Sequence, residues 1–424
     1  MKRAIVTFII LCVFSCFLAA EETTLTLQEA IAIALRDNRT VLLKTEELNE
    51  AKAKIKEGQS SLWPTLNLVA TQSSTRNLYE KDLTQTTAQT TLKQYLYKGG
   101  KTTNTIAQSR YKLTAAQAAL ETTKLEIALA VKKAFYTLLL AHEFVKVNKG
   151  IVENTEKHLQ TLQARYQNGQ ASEKDILSVR DALEGVMAAY QESLNQVQTT
   201  QSLLKNLLYL DESVSIVADA AFVYEPYDVA IEEAFVAALQ KRPEIKDYEA
   251  QVNATKKAVE ISKADTRPSI YASWDYYNRS HAAVGTTTAV GTRGWNDYSV
   301  IGVTFSWPIF DGWATKAKID QAIADLKQTQ LNRDQLNKDI ALELENAYAA
   351  IKNAIAELKK SEANLLYYER NLQEIKEKTT KGITSTLDLE DALLGQTISL
   401  FNKNQSVFNY IIAQSEFDKA TGVY

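Results

Sequence analysis

The stretch Ile127-Ala128-Leu129-Ala130-Val131-Lys132-Lys133-Ala134-Phe135-Tyr136-Thr137-Leu138-Leu139-Leu140-Ala141-His142-Glu143-Phe144-Val145 sets apolar residues at 127, 131, 134, 138, 141 and 145, with spacings that alternate between four and three. That heptad stripe makes an α-helix pack along its length against other helices. Adding 213 to each position gives Ile340, Leu344, Ala347, Ile351, Ala354 and Leu358, apolar at the same spacing. From Thr102 to Tyr166 there is no proline and only one glycine, Gly150. About 65 residues rising 1.5 Å each make a helix of roughly 100 Å, longer than an ordinary globular domain holds.

Outward from these stripes, the whole chain is written twice. Leu27-Gln28-Glu29-Ala30 and Trp63-Pro64 return as Ile231-Glu232-Glu233-Ala234 and Arg267-Pro268, an offset of 204. Tyr97-Lys98-Gly99 and Asn168-Gly169 return as Phe310-Asp311-Gly312 and Lys381-Gly382, an offset of 213. Nine residues were therefore gained between Pro268 and Gly312. A unit of about 200 residues far exceeds the 20 to 50 of solenoid repeats, so a half-structure was duplicated.

Within the first copy, residues 26–61 read as helix, with Thr26 and Glu29 as a capping box. Trp63-Pro64 ends it, because the residue before proline leaves helical geometry. Thr65 to Thr71 alternates as a strand does. A polar stretch runs from Ser73 to Gln85, and a second strand is expected over Thr86 to Leu96. Gly169 closes the long helix, and Ser172 or Glu173 starts a returning helix that runs to Leu208. In the second copy the strands are Ser269 to Tyr276 and Tyr298 to Trp307, and the nine extra residues fall in the Gly- and Thr-rich segment 277–297. The expected organisation is a signal peptide at 1–20, a first repeat at 21–210, a linker at 211–227 with strand-like pieces around Val214 to Val217, and a second repeat at 228–424.

Lys2-Arg3, the apolar run Ala4 to Leu18 and then Ala19-Ala20 have the order of a secretory signal. Val13-Phe14-Ser15-Cys16 loosely matches a lipobox, with Phe14 a poor fit. Cys12 and Cys16 are the only cysteines, so cleavage after Ala20 leaves a chain without disulfide chemistry. Losing Lys2 and Arg3 from 48 basic residues leaves 46 against 51 acidic ones, and no basic tract marks a nucleic-acid partner. No later apolar run reaches the roughly 20 residues of a membrane helix; any membrane crossing must use strands.

The four strands, up to eleven residues each in this reading, suit a tilted bilayer crossing. Aromatics gather at their ends: Trp63, Tyr95, Tyr97, Trp274, Tyr276, Tyr277, Trp295, Tyr298, Trp307 and Phe310, as interfacial girdles do. An open four-stranded sheet cannot stand in lipid, where every edge must close. Single-chain barrels begin at eight strands, so several chains would share one barrel. The fold class expected is mainly α with a small β part.

The doubled helix-strand-strand-helix order, Pro308-Ile309-Phe310-Asp311-Gly312 and the Gly-x5-Asp elements at Gly169 to Asp175 and Gly382 to Asp388 resemble the outer-membrane efflux proteins of the TolC type over residues 23 to 422. The resemblance implies a homotrimer in outer-membrane lipid: a 12-stranded transmembrane β-barrel continued by a periplasmic α-barrel of long antiparallel coiled-coil helices. It also implies a periplasmic adaptor and an inner-membrane transporter as partners, in efflux or type I secretion, with the large helical part in the periplasm.

The resemblance further implies that the turns at Gly169 and Gly382 form the periplasmic tip. There Asp388, Asp391 and Asp175 would be gate residues, and Asn168-Gly169-Gln170 with Lys381-Gly382-Ile383 the adaptor contact. Rings of Asp388 and Asp391 around an axis would favour cations; acids in a helix's first turn also simply complement its dipole. Family members often carry a basic residue where this chain has Thr384, so a tie from there to Asp175 is in doubt. His142, His158 and His281 have no metal or triad spacing and read as solvated surface residues. No enzyme, cofactor or metal site is expected. The alternative reading is an exported structural or adhesive coiled-coil protein without a pore.

Overall fold

In the computed structural model the described residues are 22–78, 81–224, 231–284, 295–381 and 383–422. The first copy runs β1 (Glu22–Leu25), α1 (Leu27–Asp37), α2 (Arg39–Ser60), β2 (Thr65–Leu78), β3 (Lys81–Lys98), α3 (Lys101–Gln167) and α4 (Glu173–Leu208). After β4 (Ser215–Ala218) the second runs α5 (Ile231–Lys241), α6 (Pro243–Ala264), β5 (Ser269–Val284), β6 (Trp295–Ser306), α7 (Ala314–Thr380) and α8 (Thr386–Thr421). The fold is mainly α with a small β part, and the two long helices have 67 residues each.

Two compact units divide the chain. One holds Met1–Lys44, Glu121–Arg242 and Lys338–Tyr424; the other holds Thr45–Leu120 and Pro243–Asn337. The core of the first unit is the heptad seam. Val131, Ala134 and Leu138 are buried with Leu204 and Leu208 of α4 and Ala30 and Ala34 of α1. Leu344, Ala347, Ile351 and Ala354 are buried with Tyr410, Ala413 and Phe417 of α8 and Ala234 of α5. Past Ala141 the α3 seam moves off the strict heptad: Val145 is half-buried while Val147 and Asn148 are buried. A 3.6-residue turn drifts against a seven-residue repeat in this way.

The reading of 26–61 as one helix is corrected by a break at Asn38. Its backbone is extended (φ −64°, ψ 127°), its amide side chain donates to Leu207 O at 2.9 Å, and its Oδ1 accepts from Thr40 N–H at 2.9 Å. One residue thus caps both flanking helices. The second copy breaks at the matching place, Arg242, which precedes Pro243. The Thr26–Glu29 capping box forms as expected. β1 was not anticipated; it pairs in parallel with β4, Leu25 opposite Ala218, so the strand-like linker segment finds its partner at the start of the described chain.

In the second unit, β2-β3-β5-β6 form one antiparallel sheet in that order. The strands have 14, 18, 16 and 12 residues, longer than the eleven or fewer expected. The polar stretch Ser73 to Gln85 largely joins β2 and β3 rather than separating them, because the backbone ladder between the two strands continues through its polar residues as far as Leu78 opposite Lys81. His281 correspondingly lies in β5 rather than in a loop. One face of the sheet carries Leu66, Leu68, Leu92, Trp274, Ile301, Val303 and Phe305, all exposed. The other face carries Asn67, Gln89, Thr91, Lys93, Asp275 and Thr304. There Asp275 Oδ1 accepts from Thr91 Oγ1 at 2.6 Å and Gln89 Nε2 at 3.2 Å. Among the described residues β2 and β6 are free edges. No described helix is long and apolar enough to cross a membrane.

Candidate functional site

The two helix turns lie in the first unit and are built alike. Gly169 takes φ +73°, which glycine adopts without strain. Gln170 N–H then reaches back to Arg165 O at 2.8 Å, the long closing bond of a left-handed helix cap. In the second turn Ile383 N–H makes the equivalent bond to Lys378 O at 2.9 Å; Gly382 lies outside the described residues. Asn168 is exposed, as are Gly169, Gln170, Lys381 and Ile383.

Each turn is followed by a capping box that holds one of the expected acids. Ser172 caps α4: its amide and hydroxyl donate to Asp175 Oδ2 at 2.9 and 2.7 Å. Ser385 caps α8 in the same way, with both groups 2.8 Å from Asp388 Oδ2. These bonds favour the ionised form. Hydrogen bonds from the Ser172 hydroxyl and amide hold Asp175 below the usual carboxylate range, and those from the Ser385 amide and hydroxyl do the same to Asp388. Both carboxylates are exposed and stay charged at neutral pH. Thr384 shares a hydroxyl hydrogen bond with Thr379 at 2.9 Å.

Asp391 sits differently. Its Oδ1 accepts from Asn154 Nδ2 at 2.8 Å and lies 2.9 Å from His158 Nε2, both on α3. Beside it Lys157 pairs with Glu390 at 2.9 Å. Three α3 residues thus tie to two consecutive acids of α8. His158 was read as a solvated surface residue; it is instead half-buried against Asp391. Its partner lies 233 residues away in sequence, and the position 213 residues on is Asn371, so neither local spacing nor the duplication could disclose the pair. His142 is also half-buried, and burial with Lys146 nearby pushes its pKa down.

The arrangement offers no nucleophile-base pair among the described residues. It offers fixed negative charge just after two exposed turns, and a polar clasp between α3 and α8.

The sequence matches the family model described as outer membrane efflux protein over residues 30–208 and 235–410. No curated protein matches it significantly. Similar solved structures include the CmeC outer membrane channel of Campylobacter jejuni, 19% identical, with a TM-score of 0.77 over 93% of this chain and 85% of that one. A membrane protein from Pseudomonas aeruginosa is 18% identical, with a TM-score of 0.76 over 93% and 92%. The outer membrane protein VceC of Vibrio cholerae is 18% identical, with a TM-score of 0.72 over 93% and 96%. At such identities the likeness concerns the fold.

Proposed function

The chain belongs to the outer membrane efflux protein family, and we propose that it is the passive exit duct of a tripartite efflux or type I secretion system. It is an outer-membrane channel protein with a large periplasmic helical portion. In the proposed assembly three copies close one barrel of 12 strands, and their helices make the periplasmic tunnel. A periplasmic adaptor engages the turns Asn168-Gly169-Gln170 and Lys381-Gly382-Ile383, and an inner-membrane transporter delivers the cargo.

The observation that carries this reading is the two-faced sheet with free edges. One face exposes Leu66, Leu68, Ile301, Val303 and Phe305, as a lipid-facing surface does. Its opposite face is largely polar, with Val69 and Val300 among polar neighbours, as a lumen is. Unpaired strand edges are not sustained in lipid, so copies must complete one another. Asp388 and Asp391, with Asp175, are proposed as the gate: fixed carboxylates beside the turns would form cation-favouring rings if the copies meet about an axis.

Native mass spectrometry in mild detergent and conductance in planar bilayers test the reading together. Three chains and stepwise cation-preferring conductance are expected. A stable monomer, a dimer, or a trimer with no conductance would overturn it and favour a structural coiled-coil role.

A further inference from the structure

The polar face of the sheet is unevenly charged. Successive residues of β3 and β5 alternate between faces, and on the side of Thr91 and Asp275 the two strands bring together Lys93, Tyr95, Tyr271, Tyr277 and Arg279. Strict alternation would send Lys98 to the other side. A bulge between Tyr95 and Tyr97 shifts the phase by one residue, so that Lys98 stands opposite Ser269 on the polar face. Bulges commonly re-aim a side chain in this way. The Lys98 Nζ then lies 4.4 Å from the centre of the Tyr95 ring.

All three cations rest on tyrosine rings. Lys93 Nζ sits 3.8 Å from the centre of the Tyr271 ring and 4.8 Å from that of Tyr95, and these rings meet edge to face at 5.6 Å. Farther along the strands, Arg279 Cζ lies 5.7 Å from the Tyr277 ring and 5.7 Å from that of Tyr298; the two rings stack at 4.9 Å and 16°. The six residues from Tyr271 to Tyr277 separate the two clusters by roughly 20 Å of strand. A ring face attracts a cation without neutralising it. Among the described side chains of this face the one carboxylate is Asp275, which accepts from Thr91 and Gln89. Each copy therefore carries a net of two positive charges here, and a ring of three copies carries six.

The architecture does not demand these residues. The positions 204 before Tyr271, Tyr277 and Arg279 are Asn67, Ser73 and Thr75, and the position 213 after Lys93 is Ser306. Lys98 returns as Asp311, with the opposite sign. Strands of the same plan thus form without the cations and the rings, so folding alone does not account for their concentration on one face.

We propose that this face binds flat organic anions on their way through the barrel. An aromatic body lies against the tyrosines, offset or edge to face as rings prefer. Its carboxylate or sulfonate takes charge-assisted hydrogen bonds from Lys93 and Lys98 at one level and from Arg279 at the other. The proposal rests on the duct reading above, in which this face lines the lumen. Rings of Lys and Arg select anions, and a cleft with low-dielectric walls concentrates their field. The preference is opposite in sign to the one proposed for Asp388 and Asp391.

The test uses the full chain in planar bilayers, with probes added from the barrel side. Naphthalene-2-sulfonate should block at concentrations at least tenfold below those of methanesulfonate, which has the charge without the ring. It should exceed by the same margin 2-naphthylmethylammonium, which has the ring with the opposite charge. Lys93→Gln with Lys98→Gln and Arg279→Gln should raise the blocking concentration of naphthalene-2-sulfonate at least tenfold and move the reversal potential in a KCl gradient toward stronger cation preference. Lys93→Arg with Lys98→Arg and Arg279→Lys keeps the charge and should keep the block. Tyr271→Leu with Tyr277→Leu should bring the two sulfonates close to equal potency. Equal block by all three probes in a conducting wild-type channel would overturn the proposal without recourse to any variant, and so would block of wild-type strength in the glutamine variant. A wild-type protein that conducts nothing would sink the duct reading itself, and this site with it.

Discussion

His158 Nε2 on α3 lies 2.9 Å from Asp391 Oδ1 on α8, and the same oxygen accepts from Asn154 one helical turn away. An acid proposed for the gate is thus also a clasp between two helices. Asp388, three residues before it, bonds instead to its own helix cap. The two aspartates therefore have separable roles.

Replacing Asp388 and Asp391 together with alanine should abolish block of the channel by multivalent cations added from the periplasmic side and weaken cation selectivity. Planar-bilayer recordings check this. Block of equal strength in the double variant would place the constriction elsewhere and leave these acids as helix-terminal charges.

His158→Ala removes one tie between α3 and α8. Partly exposed pairs are worth about 0.2–1 kcal/mol, so the equilibrium between closed and open tips should move by up to about fivefold. The readout is open probability at fixed voltage, with Lys157→Ala expected to shift it in the same direction. Unchanged gating in both variants would show that the clasp does not oppose opening.

Asp175 and Asp388 have folded-state pKa values lowered by their serine caps. Such groups contribute stability above the unfolded value, about 3.9, and lose it as pH falls through the lower folded value. Amides in the first turns of α4 and α8 should therefore exchange faster below about pH 4, after correction for intrinsic rates, with little change in mid-helix. Ser385→Ala should reproduce the effect at neutral pH in α8, at a cost of about 1 kcal/mol. Equal protection of those turns at pH 3 and pH 7 would contradict this.

Gly395 and Gly185 both sit inside helices, α8 and α4. A Cβ on Gly395 would stand 2.8 Å from the Tyr368 ring, whereas one on Gly185 meets nothing within 4 Å. Gly185→Ala should raise Tm, by up to about 1 kcal/mol of helix propensity. Gly395→Ala should lower it, since overpacking costs about 1–3 kcal/mol. Thermal melts followed by circular dichroism give the order.

Gly99→Ala combines a left-handed backbone with a Cβ forced against Ala264 O. The backbone term of about 1–2 kcal/mol adds to overpacking of about 1–3 kcal/mol. Denaturant melts should show a loss larger than for Gly395→Ala.

What the sequence determined by itself is whatever depends on neighbours within a few turns. The heptads from Ile127 and Ile340, the Thr26 capping box, the closing glycine at 169 and the alternation after Pro64 and Pro268 are periodic or positional signals carried by the residues that form each element. The duplication made the two copies corroborate each other. Tertiary structure decided the rest, because it depends on partners far apart in the chain. Asn38 breaks a helix that looked continuous by capping against Leu207; β1 exists because β4 is there to pair with it. The strands run past their aliphatic ends because the backbone ladder to a neighbouring strand continues through polar residues as well. The clasp of His158 on Asp391 joins residues in opposite copies, with no counterpart that periodicity could reveal. Helix and strand periods report which face of an element is apolar; only packing reports what that face meets.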